Sequence, residues 1–96
     1  MALYYIAESY FRMGKFKEAT TAFERVTVSQ GKYPTWVARS YLRASDGYYR
    51  QGKDDLAKER LRDLIEPKDE RSAERLKNLP EVVVARKKLN NLGGSV

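Results

Sequence analysis

Ninety-six residues, 42% of them apolar and 33% charged, make one small domain, and a net charge of +6 gives it a mildly basic balance. With no cysteine and no histidine in the chain, disulfide scaffolds, thiolate zinc sites, imidazole-ligated metals and Cys- or His-based nucleophiles are excluded. No stretch approaches the roughly 20 consecutive apolar residues of a membrane span, and Glu8 breaks the opening Met1-Ala2-Leu3-Tyr4-Tyr5-Ile6-Ala7 too early for a secretion signal.

The first element opens without a Ser, Thr, Asp or Asn cap, as expected of a piece cut from a longer protein. Leu3, Ile6, Ala7 and Tyr10 follow helical spacing and predict a helix with these four on one apolar face. Gly14 stands where a helix C-terminus needs a residue tolerant of positive φ. Ala19, Phe23 and Val26 repeat the spacing and predict a second helix, ended by Gly31. Pro34, pre-set in φ, starts a third helix running from Thr35 to Gln51, and Gly52 turns the chain again. A fourth runs from Asp54 to Glu66, with Asp54 and Asp55 at its positive end and Pro67 stopping it. After Lys68-Asp69-Glu70 a short helix reaches Asn78. The last spans Glu81 to Asn91, with Val82, Ala85, Leu89 and Leu92 inward, Arg86-Lys87-Lys88 mainly outside, and Gly93-Gly94 at its end. The expectation is an all-α chain of about six helices.

The segments repeat. Tyr10-Phe11-Arg12-Met13-Gly14-Lys15 lies over Tyr48-Tyr49-Arg50-Gln51-Gly52-Lys53 at an offset of 38, with Leu3 over Tyr41, Ile6 over Ala44, Ala7 over Ser45, Ala19 over Ala57, Phe23 over Leu61 and Val26 over Leu64. Each unit is a helix, a glycine turn and a second, antiparallel helix. The small residues Ala19 and Ala57 permit close helix approach, and Phe23 and Leu61 fill the space beyond.

This pattern resembles the tetratricopeptide repeat family, whose units are helical hairpins of 34 residues. The match covers residues 1 to 66; it departs from the family in its longer period and in Asp54, which stands where the first unit has Phe16. The resemblance implies an α-α superhelix in a single domain over 1–96: a first repeat at 1–31, a second at 34–66, and a partial repeat with capping helices at 70–92. The Tyr33-Pro34-Thr35 lead-in is further similar to a bacterial envelope subclass, that of the periplasmic Tol-Pal coordinating protein and of the outer-membrane assembly lipoprotein. Through that likeness the expected setting is periplasmic or outer-membrane-associated, and cytoplasmic without it.

By the family's arrangement the concave groove is lined by Tyr4, Glu8, Phe11 and Arg12 from the first helix and by Arg39, Leu42, Arg43, Asp46, Tyr49 and Arg50 from the third. Aromatic walls among arginines suit a peptide segment carrying acids. Family members that grip a chaperone's terminal carboxylate place asparagine where Glu8 and Asp46 stand here, and acid in both places repels such a ligand. The expected function is therefore a non-catalytic interaction module for a protein or peptide partner, either as a groove binder or as a scaffold, without cofactor or metal. Two other readings follow from other features. An apolar edge on the first unit suits self-association. Arg71, Arg75, Arg86, Lys87 and Lys88 would support a salt-sensitive nucleic-acid patch, although a solvated capping face explains them more simply.

Overall fold

The computed structural model describes residues 2–29 and 32–93. Among them are six helices and no strand: α1 (Ala2–Arg12), α2 (Phe16–Ser29), α3 (Pro34–Arg50), α4 (Asp54–Ile65), α5 (Glu70–Leu76) and α6 (Pro80–Asn91). Each lies where the sequence placed it, within two residues at either end. The expected roles of Gly31 and Gly94 fall outside the described residues.

The two glycine turns are the same structure made twice. Gly14 has φ 77° and Gly52 has φ 75°, the left-handed conformation that closes a helix at little cost only without a Cβ. In the first turn the Gly14 N–H donates to Phe11 O at 3.0 Å and the Lys15 N–H to Tyr10 O at 2.9 Å. In the second, Gly52 donates to Tyr49 O and Lys53 to Tyr48 O at the same distances. This pair of bonds satisfies the last carbonyls of α1 and α3. Lys15 and Lys53 then accept at their own carbonyls from Ala19 and Ala57, at 2.9 and 3.0 Å. One lysine backbone thus ends one helix and begins the next, which holds the two helices of each hairpin antiparallel and close.

At the other end of the chain, α3 and α6 both start with proline at their first turn, where the missing N–H costs no helical bond. The side chain of Asp69 caps α5, its Oδ2 accepting from the Ser72 N–H at 3.1 Å and from the Ser72 hydroxyl at 3.0 Å. That backbone bond is the main reason its carboxyl is held below the ordinary aspartate range.

The core forms in two patches. Ala7, Ala19, Ala22, Phe23 and Ala44 join the first hairpin to α3, with Tyr4, Tyr10 and Phe11 packed on them. Val37, Ala38, Leu61, Leu64, Ile65, Leu76, Val82, Ala85 and Leu89 join the second hairpin to α5 and α6, with Tyr41, Leu42, Leu79 and Leu92 at the margin. Phe23, Leu61, Leu64 and Leu89 are the largest fully buried side chains, each contributing about 1.5–3 kcal/mol by leaving water. Where α2 crosses α3 the contact runs over Gly47, at which a Cβ would lie 2.5 Å from Thr20 Cγ2. The neighbouring Ser45 hydroxyl donates to Ala57 O at 2.9 Å, satisfying a buried polar group inside the second hairpin.

One core expectation fails. Ile6 continues the apolar face of α1 but is 53% exposed, because that part of the face lies against no other helix of the structure. The inward stripe of α6 is as read, with Val82, Ala85 and Leu89 buried and Leu92 packed beside them. Lys88, however, turns back toward α3 and is not simply outside.

Candidate functional site

Contacts between α1 and α3 advance together along both helices, from Tyr4 with Trp36, through Glu8 with Arg43, to Phe11 with Arg50. Contacts between α3 and α6 do the same, from Arg39 with Glu81 to Asp46 with Lys88. The three helices therefore run parallel, side by side, and carry the residues that the sequence assigned to a concave groove.

At its first end Tyr4 packs edge-on against Phe23, with centroids 5.4 Å apart, and lies 5.0 Å from Trp36. Tyr5 also meets Trp36 edge-on, at 5.9 Å. Arg39 stands 5.5 Å over the Trp36 ring and reaches Glu81 of α6 at 3.6 Å. Burial, more than the nearby Glu8, pushes the Tyr4 hydroxyl above the ordinary tyrosine range.

At the middle Glu8 is buried and Arg43 covers it. The Arg43 Nε sits 2.7 Å from Oε1 of Glu8, a charge contact out of hydrogen-bond alignment, while Arg43 Nη2 donates to Oε2 at 3.2 Å. Removing Arg43 would leave the shielded Glu8 carboxylate poorly compensated, whereas Arg43, more open to solvent, could turn to water. Beside this pair, Lys88 of α6 donates to Asp46 Oδ1 at 2.8 Å.

At the far end Phe11 and Phe16 meet edge-to-face at 5.1 Å. Arg43 lies 4.9 Å over Phe11, and Arg50 lies over both rings, at 5.8 and 5.5 Å. Arginine over an aromatic face is held in place while its outer edge still offers planar donors. Arg12 and Arg50 are exposed, and so is Tyr49, at 54%. Tyr49 borders a cleft of about 240 Å³ between α3 and α6, shared with Asp46, Lys88 and Asn91.

The ten candidate residues thus fall into different surroundings. Phe11, Arg12, Tyr49 and Arg50 lie in the last turns of α1 and α3, Arg50 over Phe11 and Tyr49 on the side of α3 toward α6. Tyr4 and Arg39 belong to the opposite, tryptophan-centred end, and Glu8, Arg43 and Asp46 are engaged in ion pairs between helices. Leu42 packs against the second core patch. Three contributors were missed by sequence. Trp36 lies in the first turns of α3, ahead of anything the first repeat can be aligned with. Glu81 and Lys88 both meet α3 at an offset of 42, a spacing that the 38-residue repeat does not reveal. Phe16 was noted only as a repeat position.

On the opposite side of the hairpins Glu24 of α2 accepts from the Tyr48 hydroxyl at 2.9 Å and from Arg60 of α4 at 3.2 Å, tying three helices together. Burial first, then the bond to Glu24, pushes Tyr48 up to about 12. Among the described residues no group of three or more His, Cys, Asp or Glu side chains is placed to hold a metal ion, and no helix is long and apolar enough to cross a membrane.

A sequence profile described as tetratricopeptide repeat matches residues 1–29 and 39–66, more than half of the chain and one hairpin in each segment. The chain belongs to the tetratricopeptide repeat family. No curated protein and no solved structure matches it significantly. The six helices, packed as sequential hairpins, are those of a tetratricopeptide superhelix, and such repeats generally mediate protein–protein interactions.

Proposed function

We propose that this tetratricopeptide domain docks an extended partner segment on its concave side, with the residues at the ends of α1 and α3 as the anchoring point. The observation that carries the reading is the aromatic and arginine cluster there: Arg50 is stacked on Phe11 and Phe16, and Arg12 and Tyr49 are exposed in the same last turns of α1 and α3. Glu8 and Asp46, about one turn back on α1 and α3, are already paired with Arg43 and Lys88. Apolar contact area with uncommitted guanidinium edges selects a segment that alternates apolar and acidic residues.

The test is fluorescence anisotropy with labelled peptides of equal length and apolar content that carry acidic, neutral or basic residues. Acidic peptides bind best and lose affinity as salt rises. The combined change Arg12→Ala, Tyr49→Ala and Arg50→Ala weakens them at least tenfold and leaves the helical circular dichroism unchanged. Equal binding of all three peptide classes, or an unaffected triple variant, would refute the assignment. Arg43 is left intact because it covers the buried Glu8, and Asp46 because Lys88 already pairs with it.

A narrower setting, as a scaffold in a bacterial envelope complex, is supported by the Tyr33-Pro34-Thr35 lead-in. Release of the native protein with periplasmic contents is its test.

A further inference from the structure

The row of helices that carries the anchor holds a further feature, the cleft between α3 and α6. Its volume is about 240 Å³, and Ser45, Asp46, Tyr49, Lys88, Asn91 and Leu92 line it. Pockets that enclose a whole small ligand run to roughly 300–1,000 Å³, so this one suits a single side chain of a larger partner. Tyr49 borders the cleft, and the next residue, Arg50, stacks on Phe11 and Phe16. A segment held at the anchor therefore lies next to the mouth of the cleft.

The charges of the cleft cancel. Lys88 donates to Asp46 Oδ1 at 2.8 Å, and no other charged side chain lines it. Of the neighbouring cations on α3, Arg43 is engaged with Glu8 and Arg50 with the two phenylalanine rings, both on the α1 side. The pair nevertheless keeps hydrogen-bonding capacity, since an ammonium has three donors and a carboxylate a second oxygen. Both side chains are about a third exposed, which leaves that capacity open to a ligand. Ser45 adds no polar group, because its hydroxyl is used on Ala57 O. Tyr49 and Leu92 supply apolar area, and Asn91 lies exposed at the edge.

Such a neutral pair discriminates by charge as well as by hydrogen bonding. An incoming carboxylate competes with Asp46 for the ammonium, and an incoming ammonium competes with Lys88 for the carboxylate. Each adds an uncompensated charge. An aliphatic side chain covers both groups and satisfies neither. A carboxamide brings a donor for Asp46 and an acceptor for Lys88 in one uncharged planar group, with Tyr49 and Leu92 beside its methylenes.

We propose that the cleft between α3 and α6 reads a carboxamide, the side chain of a glutamine or asparagine, in the segment that docks at the anchor. The amide nitrogen donates to Asp46 Oδ2, and the amide oxygen accepts from the Lys88 ammonium. This rests on the docking assignment above and adds one position of specificity to it: a neutral amide among the acidic and apolar residues that the arginines and aromatic rings select.

The test has two arms. In the first, a single glutamine is walked through the acidic peptide and compared at each position with methionine, glutamate and lysine by fluorescence anisotropy. At one register glutamine binds about fivefold tighter than methionine, and tighter than either charged residue, a modest ratio because the pair is partly open to water. Asp46→Leu with Lys88→Met, which removes the pair at constant net charge, erases the preference. Asp46→Lys with Lys88→Asp retains it, because a carboxamide turned over meets the exchanged pair equally well. Arg12→Ala with Arg50→Ala weakens all the peptides together and leaves the preference in place. In the second arm, acetylglutamine N-methylamide, a glutamine with no segment attached, is titrated into the isotope-labelled chain. It shifts the NMR signals of Tyr49, Asn91 and Leu92, and does not do so in Asp46→Leu with Lys88→Met. Three results would overturn the cleft assignment while leaving the anchor standing: acidic peptides that bind with no glutamine preference at any register, a preference that survives loss of the pair, or one that reverses when the pair is exchanged. Peptides that do not bind at all, with the blocked glutamine still shifting Tyr49, Asn91 and Leu92, would remove the anchor and support the cleft as a carboxamide site. No response in either arm removes both.

Discussion

At equivalent positions the first hairpin has Ser9, Tyr10 and Ala22 where the second has Gly47, Tyr48 and Arg60. The second set is closed beneath α2, while Tyr10 and Ala22 of the first line an open groove. The two glycine turns, by contrast, match bond for bond. Turn geometry is decided within each hairpin, so duplication preserves it. Surface chemistry is decided by the neighbour, and the two hairpins have diverged there. The second hairpin has the glycine and the ion-pairing arginine that lock against a helix in the same chain, whereas the first has Ser9, Ala22 and a groove bordered by Lys17, Glu18 and Arg25.

The largest break in this comparison comes from Gly47. Gly47→Leu places a side chain into Thr20 across the α2–α3 contact and is expected to cost about 2–3 kcal/mol, even though leucine is the better helix former. Ser9→Leu, which introduces the same side chain at the equivalent exposed position, stays within about 0.5 kcal/mol. Urea denaturation of the two variants measures both. If the steric account is right, Gly47→Ala and Thr20→Ala compensate one another in a double-mutant cycle; additivity would show that the close approach is not what requires glycine.

The tyrosines sharpen the contrast at intermediate scale. Tyr48→Phe removes a donor to Glu24 and leaves Arg60 on the same carboxylate, for an expected loss of about 1 kcal/mol. Tyr10→Phe, at the open groove, changes little. The pH dependence follows with a definite sign. Burial and Glu24 raise Tyr48 to about 12 in the folded chain, against about 10 when unfolded. Its contribution is therefore complete below pH 10 and is lost as pH rises toward 12. Tyr4 and Tyr41 are raised in the same direction, in both cases first by burial. Stability measured across that window declines, and Tyr48→Phe makes the decline shallower without abolishing it. An unchanged slope would place the Tyr48 proton elsewhere.

What the sequence could disclose divides along the same line between local and neighbour-dependent features. Gly14 and Gly52 were legible because a positive φ has to be met within the turn itself. Ala19, Phe23 and Val26 were legible with their copies Ala57, Leu61 and Leu64, because helical spacing marks an apolar face and each of these faces is covered. Ile6 carries the same signal, and its exposure could not be read, since spacing does not say whether a neighbour is present. Gly47 looked like nothing, because its reason for being glycine is a methyl group 27 positions away in sequence. At the candidate site the residue types were legible, but their division into exposed residues and paired cations was not. That division depends on Trp36, which the repeat comparison cannot reach, and on Glu81 and Lys88, which belong to a helix with a different spacing.

The smallest expected effect separates the ion pairs of the concave side. Lys88 and Asp46 are each about a third exposed at the side chain, and a pair so open to solvent contributes roughly 0–1 kcal/mol, less at high salt. Lys88→Ala therefore barely lowers stability. Glu8 is different, being 11% exposed at its side chain against 39% for Arg43, so Arg43→Ala leaves a shielded carboxylate without its cation and costs clearly more than Lys88→Ala. Lys88 nevertheless has a consequence for binding, since its ammonium neutralises Asp46 beside Tyr49. Without it, the bare Asp46 carboxylate repels an acidic ligand at the anchor. Lys88→Ala is expected to weaken acidic peptides by a few-fold at low salt while melting with the parent chain, and Asp46→Asn in the same chain restores the affinity. A restored affinity with no change in stability separates an electrostatic role for the cap from a structural one, and a loss that Asp46→Asn does not repair would assign Lys88 a direct contact with the ligand instead.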